Sequence, residues 1–245
     1  MPSAPGRRYG GADPDERRDR RKNDLVAAGL ELFGTEGFAA VSVKRVCEQA
    51  GLTQRYFYES FADRPALLSA VYDDCVAVAR SATAAAAAGC VGIGGGAGVP
   101  ADDASGVARI VLGAFLRVLS DDPRRARVML VEVVGVTPDL ERQRMGAIHG
   151  WAELILGLAL GERSSSRAQR LAAVGLVGAV TQLLVDWYTS SAGTGAITAE
   201  GITAEGFTAE GFTAEGITAD AVDLDSVLDV CVELFTAAHA RLLSE

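Results

Sequence analysis

Residues 42–68 read SVKRVCEQAGLTQRYFYESFADRPALL, and this stretch decides the fold. Val43, Val46, Cys47 and Ala50 fall at i, i+3, i+4 and i+7, one apolar stripe of a short helix that Ser42 is placed to cap. Gly51 ends that helix and Thr53 is placed to cap the next. In the second helix Phe57 and Phe61 are spaced to face inward, while Gln54, Arg55, Tyr56 and Tyr58 occupy the outward face. A short helix, a glycine turn and a second helix with a polar and aromatic outer face form the arrangement by which a chain presents a recognition helix to the major groove of DNA.

Upstream, Leu25, Ala28, Gly29, Leu32 and Phe33 form the apolar face of a first helix, and the stretch from Gly34 to Gly37 turns the chain toward the second. Downstream, Asp63 is placed to cap a fourth helix with Pro65 in its first turn, where a missing N–H costs nothing. With these additions, AGLTQRYFYESFADRPALL resembles the signature of TetR-type transcriptional regulators, and the close match covers residues 17–70. The resemblance implies an all-α protein: a disordered arm at 1–16, a three-helix helix-turn-helix DNA-binding domain at 17–64, and a helical effector-binding and dimerisation domain at 65–245. It further implies a homodimer on a palindromic double-stranded DNA operator, a small-molecule effector and no cofactor. A repressor released by an apolar ligand is the expected function.

For the reading head, roles follow from chemistry together with the resemblance. Lys44 and Arg45 sit on the outer face of the second helix, and Gln54, Arg55 and Tyr56 at the start of the recognition helix. Amide and guanidinium groups there can bond purine edges, and Tyr56 can touch a thymine methyl. Ser42, Thr53, Tyr58 and Arg64 are placed to hold phosphates, which sets register without specifying sequence. Three positions depart from the family's usual pattern. Ser60 stands where an aromatic or histidine is common, Arg64 where lysine is usual, and Arg55 where many members have glycine, so the recognition helix is bulkier and more basic.

The formal charge of −9 over 245 residues argues, taken as a sum, against nucleic acid. Its distribution reverses that inference: residues 1–64 carry 11 Lys+Arg against 10 Asp+Glu, and the remainder 12 against 22. Attraction to phosphate depends on the local face, and an acidic body holds the other side of the protein away from the duplex. The 4 cysteines, Cys47, Cys75, Cys90 and Cys231, form no CxxC pair and read as small buried apolar residues of a reduced, cytoplasmic protein. Arg7 and Arg8 precede no apolar run, so the N-terminus does not read as a signal peptide. The longest apolar run, 171–185, is interrupted by Gln182 and bounded by Arg170 and Asp186, which predicts a buried helix and not a membrane span.

Beyond the fourth helix, expected to end near Ala88, residues 89–100 (GCVGIGGGAGVP) read as a glycine-rich loop. Helices follow over 102–120, from a cap at Asp122 with Pro123, from a cap at Thr137 with Pro138, over 166–190 and over 224–243. Between the last two, residues 197–220 repeat ITAEG, ITAEG, FTAEG, FTAEG and ITAD. A period of five fits neither helix nor strand, so 193–220 is expected to be an acidic, flexible loop.

Enzyme chemistry finds little support: GxSxG, HExxH and P-loop motifs are absent, and the 2 histidines, His149 and His239, are far apart. Glu132, Asp139 and Glu141 lie near His149 in order, but no spacing singles them out. Phe115, Arg117, Met129, Trp151 and Trp187 are the candidates for a ligand pocket, and Leu183, Leu184, Val227, Cys231 and Phe235 for the dimer interface. A helical small-molecule-binding module that has lost operator binding is the alternative reading.

Overall fold

A computed structural model describes residues 14–91, 98–192 and 223–243. The whole pentapeptide repeat, residues 1–13 and residues 92–97 lie outside this set. Among the described residues the protein is all-helical: α1 (Pro14–Thr35), α2 (Val43–Ala50), α3 (Gln54–Ser60), α4 (Arg64–Val91), α5 (Ala104–Asp121), α6 (Pro123–Arg127), α7 (Pro138–Leu160), α8 (Arg167–Ala192) and α9 (Leu224–Ala238). Two helix junctions widen into single π-helical turns, Val128–Glu132 after α6 and His239–Leu243 after α9.

Local chemistry explains most boundaries. Ser42 accepts a hydrogen bond from the Arg45 amide at 3.2 Å, Thr137 from the Leu140 amide at 3.2 Å, and Asp63 from the Ala66 amide at 2.8 Å. Gly51 closes α2 at φ 65°, a left-handed conformation that glycine adopts at little cost. Thr53 differs from expectation: its backbone is extended, as at a cap, but its hydroxyl makes no capping bond to α3. Helix α1 takes in Pro14, Asp15 and Glu16, which the expected arm at 1–16 included, and the rest of that arm lies outside the described residues; Asp15 and Glu16 in the first turn suit the positive end of a helix. Helix α4 runs through Gly89 and Cys90 to Val91, past the expected end, because the alanine-rich stretch 82–88 favours helix strongly enough to carry a glycine.

Helices α1 to α4 close around one core in which Leu25, Phe33, Val46, Phe57, Leu67 and Val71 are fully buried. Gly29 is needed there, since a Cβ would meet the Val71 side chain at 2.8 Å. Val128, Val133 and Leu140 from beyond α6 complete this core, so it continues past residue 64. The body has two further clusters. One joins α5, α9 and the second half of α8 through Leu112, Leu116, Leu119, Val180, Leu184 and Cys231; the other joins α7 to the first half of α8 through Ala152, Leu156, Leu160, Ala173 and Val177.

Helix α8 corrects the expectation of a buried helix. Its inner stripe packs, but Leu171 is 64% exposed, and Gly175, Gly178 and Gln182 share its open side. By length and composition alone it could cross a membrane, yet its inner stripe lies against α7 and α9 within the body. Apolar residues all round a helix conceal from the sequence which stripe packs inward.

Candidate nucleic-acid interface and effector cavity

On the outer face of α2 and α3, Ser42, Lys44, Arg45, Thr53, Gln54, Arg55 and Tyr58 are all exposed. The cations are already paired: Lys44 with Glu48 at 3.7 Å, Arg45 with Glu36 at 3.1 Å, and Arg55 Nε with Glu59 at 2.9 Å. These are exposed pairs on or beside one surface, which a phosphate or base can displace at small cost. Tyr56 departs from the expected outward position. It is half-buried, with the Arg21 guanidinium stacked 4.5 Å from its ring centre, so α1 fixes the flank of the recognition helix.

Arg64 also has a different task from the phosphate contact expected of it. Its Nη1 donates to the Phe38 carbonyl at 3.0 Å and to the Val41 carbonyl, and its guanidinium stacks 4.8 Å from the Phe38 ring. The forked donor therefore ties the α1–α2 turn to α4. Sequence could place Arg64 at the start of a helix but could not show that two carbonyls of the preceding turn lie within its reach.

The same turn is clamped from the other side. Glu132 accepts from the Phe38 amide at 2.7 Å and from Arg127 Nε at 2.7 Å, while Arg127 Nη1 donates to the Thr35 carbonyl at 2.7 Å. Gly37 holds φ 90° where a Cβ would meet Arg127 at 2.7 Å. Arg124 pairs with Asp122 and Glu31, and Arg125 with Asp74 at 2.9 Å. Hydrogen bonding from Arg124 holds the Asp122 carboxyl below its usual range. The carboxylates near His149 in sequence are thus engaged elsewhere: Glu132 here, Glu141 with the Gly135 amide and Arg144, Asp139 with Arg142, while His149 itself is exposed.

Between α4, α5, α7 and α8 lies a cavity of about 440 Å³. Phe115, Met129 and Trp151 line it as expected, with Phe115 and Trp151 edge to face at 5.1 Å. Arg117 and Trp187 do not. Arg117 is exposed on the far side of α5, and Trp187 packs edge to face with Tyr188 at 6.4 Å. Tyr72, Thr83, Thr181 and His239 are polar members of the wall that sequence reasoning missed, since nothing in their spacing sets them apart. Burial pushes the Tyr72 phenol up to about 12, so it stays protonated near neutral pH.

The dimer candidates are redistributed as well. Leu184, Val227 and Cys231 are buried within the chain's own core, and Leu183 and Phe235 pack against it, Phe235 also lining the cavity. The open apolar residues of the last two helices are instead Leu171 on α8 and Val230 and Leu234 on α9. Cys90 is half-buried rather than buried; burial raises the thiol pKa of Cys47 and takes those of Cys75 and Cys231 to about 12 and about 11.

Residues 25–71 match the family model described as bacterial regulatory proteins, tetR family. Over these residues the chain carries the DNA-binding domain of that family of transcriptional regulators. That domain is the DNA-binding head of transcriptional regulators, and TetR-family regulators are not enzymes. Among solved structures, the fold resembles the regulator FadR of Bacillus subtilis in complex with stearoyl-CoA, at 14% identity, TM-score 0.60, over 88% of this chain and 97% of that one. It also resembles the fatty acid degradation regulator FadR of Bacillus halodurans, at 14% identity and TM-score 0.58 over 88% and 94% of the chains. A TetR-like regulator from Rhodococcus sp. RHA1 aligns at 16% identity and TM-score 0.57 over 90% and 96%. At these identities the likeness is one of fold. No curated protein sequence matches the chain.

Proposed function

We propose that this TetR-family protein is a homodimeric repressor that holds a palindromic operator with two reading heads and releases it when a mostly apolar small molecule fills the cavity. Residues 17–64 serve as the DNA-binding domain and 65–245 as the effector and dimerisation domain, with α4 common to both. Lys44, Arg45, Gln54 and Arg55 meet base edges, and Ser42, Thr53 and Tyr58 meet phosphates.

The observation that carries this reading is the double membership of Tyr72 and Met129. Each packs in or against the core of the reading head, and each also lines the cavity. A ligand that displaces either must move a group seated against the head. Met129 lies in the π-turn that also carries Glu132, so the same motion reaches the clamp on Phe38. Operator binding requires one spacing between the two recognition helices, and a ligand that favours another tilt of α4 lowers DNA affinity in proportion to its own preference.

Two features support dimerisation and ligand class. The open stripe of α8 around Leu171, Gly175 and Gly178 allows close approach of a second helix, and α9 leaves Val230 and Leu234 exposed. The cavity wall is chiefly Val, Leu, Ile and aromatic side chains, and a relative of the same fold holds stearoyl-CoA, a ligand with a long apolar chain.

Selection of bound duplexes from a random pool is expected to enrich a palindrome with half-sites on one face of the DNA. A ligand found by thermal shift is then titrated with and without that duplex. The factor by which ligand weakens operator binding should equal the factor by which operator weakens ligand binding. Equal ligand affinity in both titrations would remove the switch from this reading.

A further inference from the structure

His239 is 7% exposed, and both of its ring nitrogens are buried without a hydrogen-bond partner. It stands in the π-turn that follows α9, and its ring borders the cavity. A neutral imidazole has one donor and one acceptor, and leaving both unmet is a cost that buried polar groups in folded proteins rarely carry. Two threonine hydroxyls of the wall are already served. Thr83 gives its proton to the Ala79 carbonyl at 2.7 Å, and Thr181 to the Val177 carbonyl at 2.8 Å.

The surroundings restrict what can meet the ring. Ala238 beside it belongs to the cluster that joins Ala152, Leu156 and Ala159 of α7 to Ala173 and Val177 of α8, whereas the charged member of the wall, Arg144, lies near the start of α7 and is paired with Glu141 at 2.9 Å. From Arg144 to Ala159 the lining stretch of α7 is on the order of 20 Å long at about 1.5 Å per residue. The cavity is therefore lined along much of α7, with a paired cation near the start of that helix and an unpaired imidazole on the turn after α9. Rotation of the ring by a half-turn about Cβ–Cγ exchanges its nitrogen and carbon edges, which histidine permits within its broad χ2 range.

We propose that His239 is the polar anchor of the effector site, and that the effector is a slender apolar molecule bearing a neutral group that both donates and accepts a hydrogen bond, a hydroxyl or a primary amide. This rests on the reading of the cavity as a ligand site and adds to it the chemistry of the ligand's head. A hydroxyl offers the imidazole either partner it lacks. An ether meets only the donor, and a carboxylate brings a charge into an apolar wall whose cation is already paired.

The test uses the full-length protein and three probes sharing one chain: 1-decanol, decyl methyl ether and decanoate. Binding is read from the fluorescence of Trp151 at the cavity wall. The unmodified protein is expected to prefer the alcohol to the ether by about tenfold, the scale of one buried hydrogen bond. In His239→Phe the preference should fall to about twofold or less, and in His239→Gln, which keeps donor and acceptor, most of it should return. With no ligand present, His239→Phe should melt higher than the unmodified protein, because the replacement removes two unmet polar atoms. If all three probes bind but their order is the same in His239→Phe, the anchor is wrong while the cavity stands. If decanoate is the probe that depends on His239, the neutral head group is wrong. If no probe binds the unmodified protein, the cavity reading fails and the anchor with it.

Discussion

In the reading head, Phe33 and Phe57 are completely enclosed and four helices share one core; in the body, Phe115 and Trp151 stand at the edge of a cavity of about 440 Å³ and the core is split into two clusters. The head's identified polar ties are met, down to both carbonyls held by Arg64. The body keeps an imidazole with no partner. Dense packing fixes one arrangement of side chains, whereas a hollow forfeits contacts on one side of its lining and leaves room for alternatives. A part that must present the same face to every operator benefits from the first, and a part that must respond to a ligand benefits from the second.

The sharpest test of this contrast compares two phenylalanines. Phe57→Ala, in the closed core, should lower the unfolding free energy by about 3–5 kcal/mol in denaturant titration. Phe115→Ala, which only enlarges an existing hollow, should cost less than half as much, since part of its surface already lacks neighbours. Equal costs would mean that the body is as tightly packed as the head.

Next in size is the outer side of the body. Leu171→Glu combined with Leu234→Glu should convert dimers to monomers in sedimentation, because an unpaired charge buried between subunits costs about 3–5 kcal/mol. The variant's helical circular dichroism should remain, as neither residue packs in the chain's own core. An unmodified protein that sediments as a monomer would remove the dimer.

Arg64→Met keeps the aliphatic stem but strips the donors from the Phe38 and Val41 carbonyls, and should cost about 1–3 kcal/mol. DNA affinity should fall for every sequence alike, because the turn that orients α2 loosens. A uniform loss of DNA affinity with no change in unfolding free energy would place Arg64 on the DNA phosphates after all.

Two smaller effects probe the edges of the comparison. The Asp122 carboxyl is held below its usual range, so its contribution is present above the unfolded value of 3.8 and is lost as pH falls through the lower folded value. Melting temperature should therefore drop more between pH 5 and about pH 3 in the unmodified protein than in Asp122→Asn. Glu59→Gln frees Arg55 on the recognition helix and should tighten operator binding by roughly two- to fivefold, with little change in melting temperature.

How much of this was legible in the chain depends on the range over which each feature is determined. The helix-turn-helix could be read because its signals are local: a cap at Ser42, a left-handed Gly51, Phe57 and Phe61 four apart. Phe115, Met129 and Trp151 were legible as large apolar groups in the central helices, but the same criterion admitted Arg117 and Trp187, which face elsewhere.

The sequence by itself determined an all-helical protein with a DNA-reading head, since apolar period, caps and turns act within a few residues of one another. Tertiary structure alone decided the partners of Arg64 and Glu132, the packed side of α8, and the placing of His239 at a hollow. Glu132 meets Phe38 across 94 positions of chain, and α8 carries apolar residues on more than one side. Periodicity states that a face is apolar; only the packed arrangement of all the helices selects what that face will touch.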